Sequence, residues 1–223
     1  MIRYISTAAM LAFSVGSAQA ALLDFETGFT GSNTAITGTE FESAFGVTFS
    51  SANGLFIVDV GGPVDGFVPN DTPAVNGIFG DYFLTSDFGT VTSLVIDYTV
   101  GASAASFDVA DIDGSGSNLE EFTFIARDSS GNVLETQMVD GNSPLAGDAV
   151  ATRIGFSGLS ALISQIEITG TTTGGTRQIG IAFDNFNTTV NSLDPSPVPV
   201  PAALPLAAAG LGLLGLVRAR RKA

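Results

Sequence analysis

Between Asp111 and Glu121 the chain reads Asp-Ile-Asp-Gly-Ser-Gly-Ser-Asn-Leu-Glu-Glu, and the chemistry open to such a stretch is the capture of a hard cation. Asp111, Asp113 and Ser115 place oxygen donors at the first, third and fifth positions, and Gly116 at the sixth permits the chain to curl inward. Glu121 completes the candidate ligand set. An Asp/Gly/Ser turn between two strands explains the same residues, and both readings stand at this level.

Other chemistries are closed by composition. The 223 residues include no cysteine and no histidine, which removes disulfides, thiol nucleophiles, the usual zinc sites and every His-based triad. Acids are abundant: all 22 lie between Asp24 and Asp194, against only Arg127, Arg153 and Arg177 in that span. A surface with that balance repels nucleic acid and anionic lipid and attracts divalent cations, although solubility alone also accounts for it. The one enzymatic mechanism left is a two-carboxylate glycosidase, and no particular pair stands out from so many acids.

The elements that must position these residues are strands. Leu23 and Phe25 alternate with Asp24 and Glu26; Leu94, Ile96, Tyr98 and Val100 alternate with Val95, Asp97 and Thr99. Further strands are predicted at 45–49, 55–60, 78–84, 106–110, 121–127, 133–139, 151–156, 163–169 and 179–186, with no convincing helical period between the two ends of the chain. Many short strands separated by Gly, Asn, Asp and Ser predict an all-β, antiparallel two-sheet β-sandwich of jelly-roll type. Sixteen of the 17 phenylalanines fall in this region, and Phe83, Phe107, Phe124 and Phe183 are expected as core. The segment 60–76 is the longest expected loop.

The two ends of the chain read as targeting segments. Arg3, an apolar run from Ile5 to Val15 and the A-x-A site Ala18-Gln19-Ala20 predict a signal peptide over 1–20, cut by signal peptidase before Ala21. Residues 21–190 then form the outer domain and 191–197 an extended spacer. Every residue from Val198 to Val217 is apolar, and Arg218, Arg220, Arg221 and Lys222 follow. A helix over 201–217 would cover roughly 25 Å, the lower limit for a bilayer core. The basic stop prefers the cytoplasmic side, which puts the domain outside.

Three resemblances extend this reading. The Asp111 stretch resembles the opening of an EF-hand loop, but position 12 is Phe122 and no helices flank it, so it is read as a calcium loop on a strand connection. The tail, with Val198, Pro199, Val200, Pro201 and Ala202 before a Gly/Ala/Leu helix and a basic stop, resembles the VPLPA-type sorting tail of the PEP-CTERM class; Val replaces that class's usual Leu. This implies that a membrane exosortase processes the protein near the box, delivering it to the cell surface or releasing it. The opening Phe25-Glu26-Thr27-Gly28 and closing Phe183-Asp184-Asn185 segments are similar to those of carbohydrate-binding-module jelly rolls. There the first and last strands lie side by side, which implies that Glu26 and Asp184 share a structural Ca2+.

Three functions are therefore open. The leading one is an exported, non-catalytic surface or extracellular-matrix protein, stabilised by calcium. The alternative is a carbohydrate-binding module with an extracellular polysaccharide partner; it is weakened by the absence of Trp and by only Tyr82 and Tyr98 in the mature chain. The third is the glycosidase.

Overall fold

A computed structural model describes residues 22–28, 34–60, 77–86, 91–144, 146–147, 150–174 and 182–187. Among them are thirteen strands and one four-residue helix. In chain order these are β1 (Leu22–Leu23), β2 (Thr34–Ile36), α1 (Glu42–Phe45), β3 (Val47–Ser50), β4 (Leu55–Asp59), β5 (Tyr82–Thr85), β6 (Val91–Ala102), β7 (Ala105–Ala110), β8 (Gly114–Ser115), β9 (Asn118–Arg127), β10 (Val133–Asp140), β11 (Ala151–Phe156), β12 (Ile163–Thr172) and β13 (Ala182–Asn187). All pairings are antiparallel, in two sheets. One, seven-stranded, runs β11-β7-β13-β5-β4-β2 with β1 also on β13; the other, six-stranded, runs β10-β9-β12-β6-β3 with β8 on β9. The expected β-sandwich is the observed architecture.

Alternation places the core between the sheets. On β9, Glu120, Phe122, Phe124 and Ala126 are buried while Glu121, Thr123, Ile125 and Arg127 are not, as a half-buried strand requires. Phe25, Phe41, Phe49, Phe107, Phe122, Phe124, Phe156, Phe183 and Phe186 are all buried in one cluster. Many of their rings meet edge-on or stacked, as aromatic quadrupoles prefer, and others are tilted. The Phe49 and Phe186 centroids lie 5.0 Å apart, and those of Phe107 and Phe186 lie 5.3 Å apart. Such a bulky aromatic core needs small residues opposite it. Gly170 lies in register with Phe122, and a Cβ there would overlap the Phe122 ring.

Phe83 differs from the other phenylalanines expected as core. With Val58, Phe79, Ala110 and Ala182 it forms a second buried cluster on the other face of the seven-stranded sheet. The short strands β2 and β8 and the single-turn α1 carry too few residues to show a period, and the sequence gives no sign of them. All of the expected loop over 60–76 except Val60, the signal segment with Ala18, Ala20 and Ala21, the spacer, the box Val198 to Ala202 and the stop at Arg218, Arg220, Arg221 and Lys222 lie outside the described residues. No helix among the described residues is long and apolar enough to cross a membrane.

Candidate functional site

The first and last strands meet as expected, Leu23 pairing with Phe186. The same edge of β13 also pairs with β5, through Phe183 and Leu84. Between these two partners the edge of β13 changes hands, and Asp184 and Asn185 sit at the change. Ladder bonds are missing there, and side chains replace them. The Gly80 N–H donates to Asp184 Oδ2 at 3.3 Å and the Tyr82 N–H to Glu26 Oε1 at 3.1 Å.

Two left-handed residues build this junction. Phe25 (φ 59°) turns the chain out of β1 while its ring stays in the core, and the Glu26 N–H donates to Asp24 Oδ1 at 3.3 Å. Asn185 (φ 54°) makes a β-bulge: three steps on β13, Asp184 to Asn187, oppose two on β7, Asp108 to Ser106. The bulge sends both Phe183 and Phe186 inward and leaves Asp184 and Asn185 on the other side. A left-handed bulky side chain is strained by about 1–3 kcal/mol, and such strain collects at ligand clamps. Gly80 closes the arrangement, since it bonds Asp184 and a Cβ on it would overlap the Glu26 carboxylate.

The electrostatics are one-sided. Asp184 is fully buried, and its carboxyl is pushed up to about 7, chiefly by burial and further by the charges of Glu26 and Asp24; the Asn185 and Gly80 N–H groups pull against this. No arginine among the described residues is paired with Asp24, Glu26 or Asp184. Arg127 pairs with Glu167 and Arg153 with Asp108. Glu26 and Asp184 offer oxygen donors only, the chemistry of a hard cation such as Ca2+, and the cradle at Gly80 keeps them together. Nevertheless, no three Asp or Glu side chains among the described residues gather closely enough to hold a metal ion by themselves. Backbone oxygens or water would have to complete any coordination here.

The Asp111 stretch folds differently from a curled loop. β8 pairs with β9 through Gly114 with Leu119 and Ser115 with Asn118, so the stretch is a β-hairpin. Asp111 is left-handed (φ 69°) and buried, the Asp113 N–H donates to Glu120 Oε2 at 3.2 Å, and Glu120 is buried. Glu121 lies on β9 in register with Asp140 and Thr171, facing away from the core. Glu120, at position 10, is thus the acid that bonds the Asp113 backbone, and the sequence-predicted Glu121 is not.

The residues around Asp184 that spacing did not single out are Gly80, Asn185, Asp108 and Arg153. Only Asn185 carried a signal, because Asn enters left-handed backbone more readily than most residues. The outer face of the six-stranded sheet carries two largely polar rows on either side of a mixed one, Ser50, Val95, Glu167, Ile125 and Thr136. Thr48, Asp97, Gln165 and Arg127 form one cross-strand row, and Ser93, Thr169, Thr123 and Met138 another. Tyr98 is buried on the opposite face and Tyr82 packs against the core; burial pushes the Tyr98 phenol up. The exposed large hydrophobics among the described residues, Leu22, Ile78, Val100, Val133 and Met138, include no aromatic.

No family model matches the chain, and no curated protein matches it. Among solved structures it is similar to TmCBM61, determined with β-1,4-galactotriose, at 15% identity and TM-score 0.37 over 70% of this chain and 97% of that one. It is also similar to the CBM22-1 xylan-binding domain of Paenibacillus barcinonensis Xyn10C, at 15% identity and TM-score 0.36 over 79% and 100% of the two chains. A DUF4465 family protein from Bacteroides caccae is similar at 13% identity and TM-score 0.45, over 75% of this chain and 98% of that one.

Proposed function

We propose that residues 21–190 form an exported, non-catalytic module that binds extracellular polysaccharide and is braced at its termini by Ca2+. The observation that carries the binding reading is the outer face of the six-stranded sheet, where Thr48, Asp97, Gln165 and Arg127 in one row and Ser93, Thr169 and Thr123 in another stand in register, with Val95, Ile125 and Met138 beside them. Gln165 donates to Asp97 at 2.8 Å and Arg127 donates to Glu167 at 2.7 Å. Part of the face is therefore held in place before any ligand arrives, which lowers the ordering cost of binding. A sugar chain laid across it would be read mainly by hydrogen bonds, with aliphatic contact from Val95, Ile125 and Met138 and no aromatic platform, which predicts weak recognition. Affinity electrophoresis and calorimetry against a panel of neutral and acidic polysaccharides test this. Binding that Gln165→Ala plus Thr169→Ala weakens supports the reading, and no binding to any polysaccharide refutes it.

Glu26 and Asp184 would hold the Ca2+, which would neutralise a buried carboxylate and tie the first strand to the last. The Asp111 to Glu121 hairpin is the second candidate, where the Glu120 carboxylate accepts from the Asp113 backbone N–H. A purely structural surface or matrix role is the second reading, favoured by the lack of an exposed aromatic among the described residues. For the whole chain we propose removal of residues 1–20 by signal peptidase, insertion in the inner membrane with the domain outward, and exosortase processing near Val198 to Ala202. Mass spectrometry of envelope and medium reads both ends directly. A surface form that keeps Arg218 to Ala223 contradicts the processing.

A further inference from the structure

We infer that Asn185, backed by Asp108 and Arg153, is a positioning residue that aims the Asp184 carboxylate, so that an exposed arginine on β11 sets how well a cation is held two strands away on β13. This rests on the calcium reading above. The Arg153 guanidinium grips Asp108 with both sides of its fork, Nε to Oδ1 at 2.6 Å and Nη2 to Oδ2 at 2.9 Å. Such a bidentate pair fixes geometry as well as charge. The Asp108 side chain is only 3% exposed, against 54% for that of Arg153. This carboxylate therefore has little water to turn to if its partner is lost. Asp108 Oδ2 also accepts from Asn185 Nδ2 at 3.0 Å, and the same nitrogen donates to the Ile78 carbonyl at 2.9 Å. Both amide hydrogens of Asn185 are thereby used, and the plane of its side chain is fixed.

The fixed side chain locks the left-handed backbone beneath it, and the Asn185 N–H donates to Asp184 Oδ1 at 2.7 Å. Oδ1 is thus held by the shorter bond. Oδ2, with only the 3.3 Å bond from Gly80, is the oxygen presented on the Glu26 side. A simpler role for Asn185 is tolerance of positive φ. Glycine tolerates it better and lacks the amide, so Asn185→Gly separates the two roles.

The test uses the full chain and Ca2+ itself. Calcium titration by calorimetry is run on wild type, Asn185→Gly, Arg153→Gln and Arg153→Lys, with amide hydrogen exchange at Gly80 and Asn185 in EDTA. Loss of such outer support costs metal sites on the order of tenfold in affinity or more, and that is expected for Asn185→Gly and Arg153→Gln. Arg153→Lys, which keeps the charge but not the fork, should fall between. Faster exchange of both amides is expected in Asn185→Gly and Arg153→Gln even without calcium. Wild-type affinity in Asn185→Gly overturns the inference. Should wild type bind no Ca2+, the reading of the site fails on its own, and unchanged exchange in the variants then overturns the positioning role separately.

Discussion

Replacing Asp184 by asparagine tests the charge balance at the strand junction most directly. In calcium-free buffer the Asp184 carboxyl titrates near 7 in the folded protein and near 3.8 in the unfolded chain. Between those values the folded state keeps a proton that the unfolded state has lost, so stability falls as pH rises through the window. About 3 pH units at about 1.4 kcal/mol each give a loss of up to about 4 kcal/mol by pH 7, constant above it. The amide of the variant has nothing to titrate, although it makes a poorer acceptor for the Gly80 N–H. In EDTA, the stability of Asp184→Asn relative to wild type should therefore rise by up to about 4 kcal/mol from about pH 4 to about pH 7, or roughly 10 °C in Tm for a domain this size. Taking the difference between the two proteins cancels the carboxylates that do not interact with Asp184, which leaves Glu26 and Asp24 as the coupled ones. Millimolar Ca2+ should reverse the ranking at neutral pH, because the ion favours the ionised carboxylate and stabilises only wild type, by several kcal/mol when well above its Kd. Thermal unfolding by circular dichroism across pH, with EDTA or CaCl2, provides the measurement. A stability difference that is flat with pH, together with equal responses to calcium, would refute the reasoning.

Gly80→Ala should push the Glu26 carboxylate aside and reduce the calcium increment in Tm while changing the EDTA value little; an unchanged increment would remove Glu26 from the site. Gly170→Ala should cost about 1–3 kcal/mol by forcing the Phe122 ring to move, seen as a lower denaturant midpoint with the calcium increment intact. Phe186→Ala, which empties the place where Phe25, Phe49 and Phe107 converge, should cost about 3–5 kcal/mol in the same assay. If that loss is under about 1 kcal/mol, the aromatic cluster is not the core described.

The strands with a clear period of two were legible residue by residue: 151–156 was expected as a strand and β11 is Ala151–Phe156, and the long alternations at β6, β9 and β12 follow from burying one face. The pairing of the two ends of the domain was expected only through the resemblance of the opening and closing stretches to carbohydrate-binding-module jelly rolls, not from any period along the chain. Period alone could not reveal that Phe83 turns to the far face, because a strand covered on both sides shows the same apolar residues whichever way they point. Nor could it show that Glu120 rather than Glu121 meets Asp113, since one residue's difference in register exchanges the faces of a strand.

Local pattern was enough to dictate an anionic all-β sandwich with a phenylalanine core, because alternation, turn residues and the lack of His and Cys act along the chain and need no distant partner. The junction around Asp184 belongs to the packed fold. Gly80, Asn185, Asp108 and Arg153 stand on separate segments, and their meaning comes from backbone N–H groups left without ladder partners where β13 passes from β5 to β1. A bulge at Asn185 and a reversal at Phe25 are set by what the packed sheets demand of two residues, and no pattern along one strand encodes that demand.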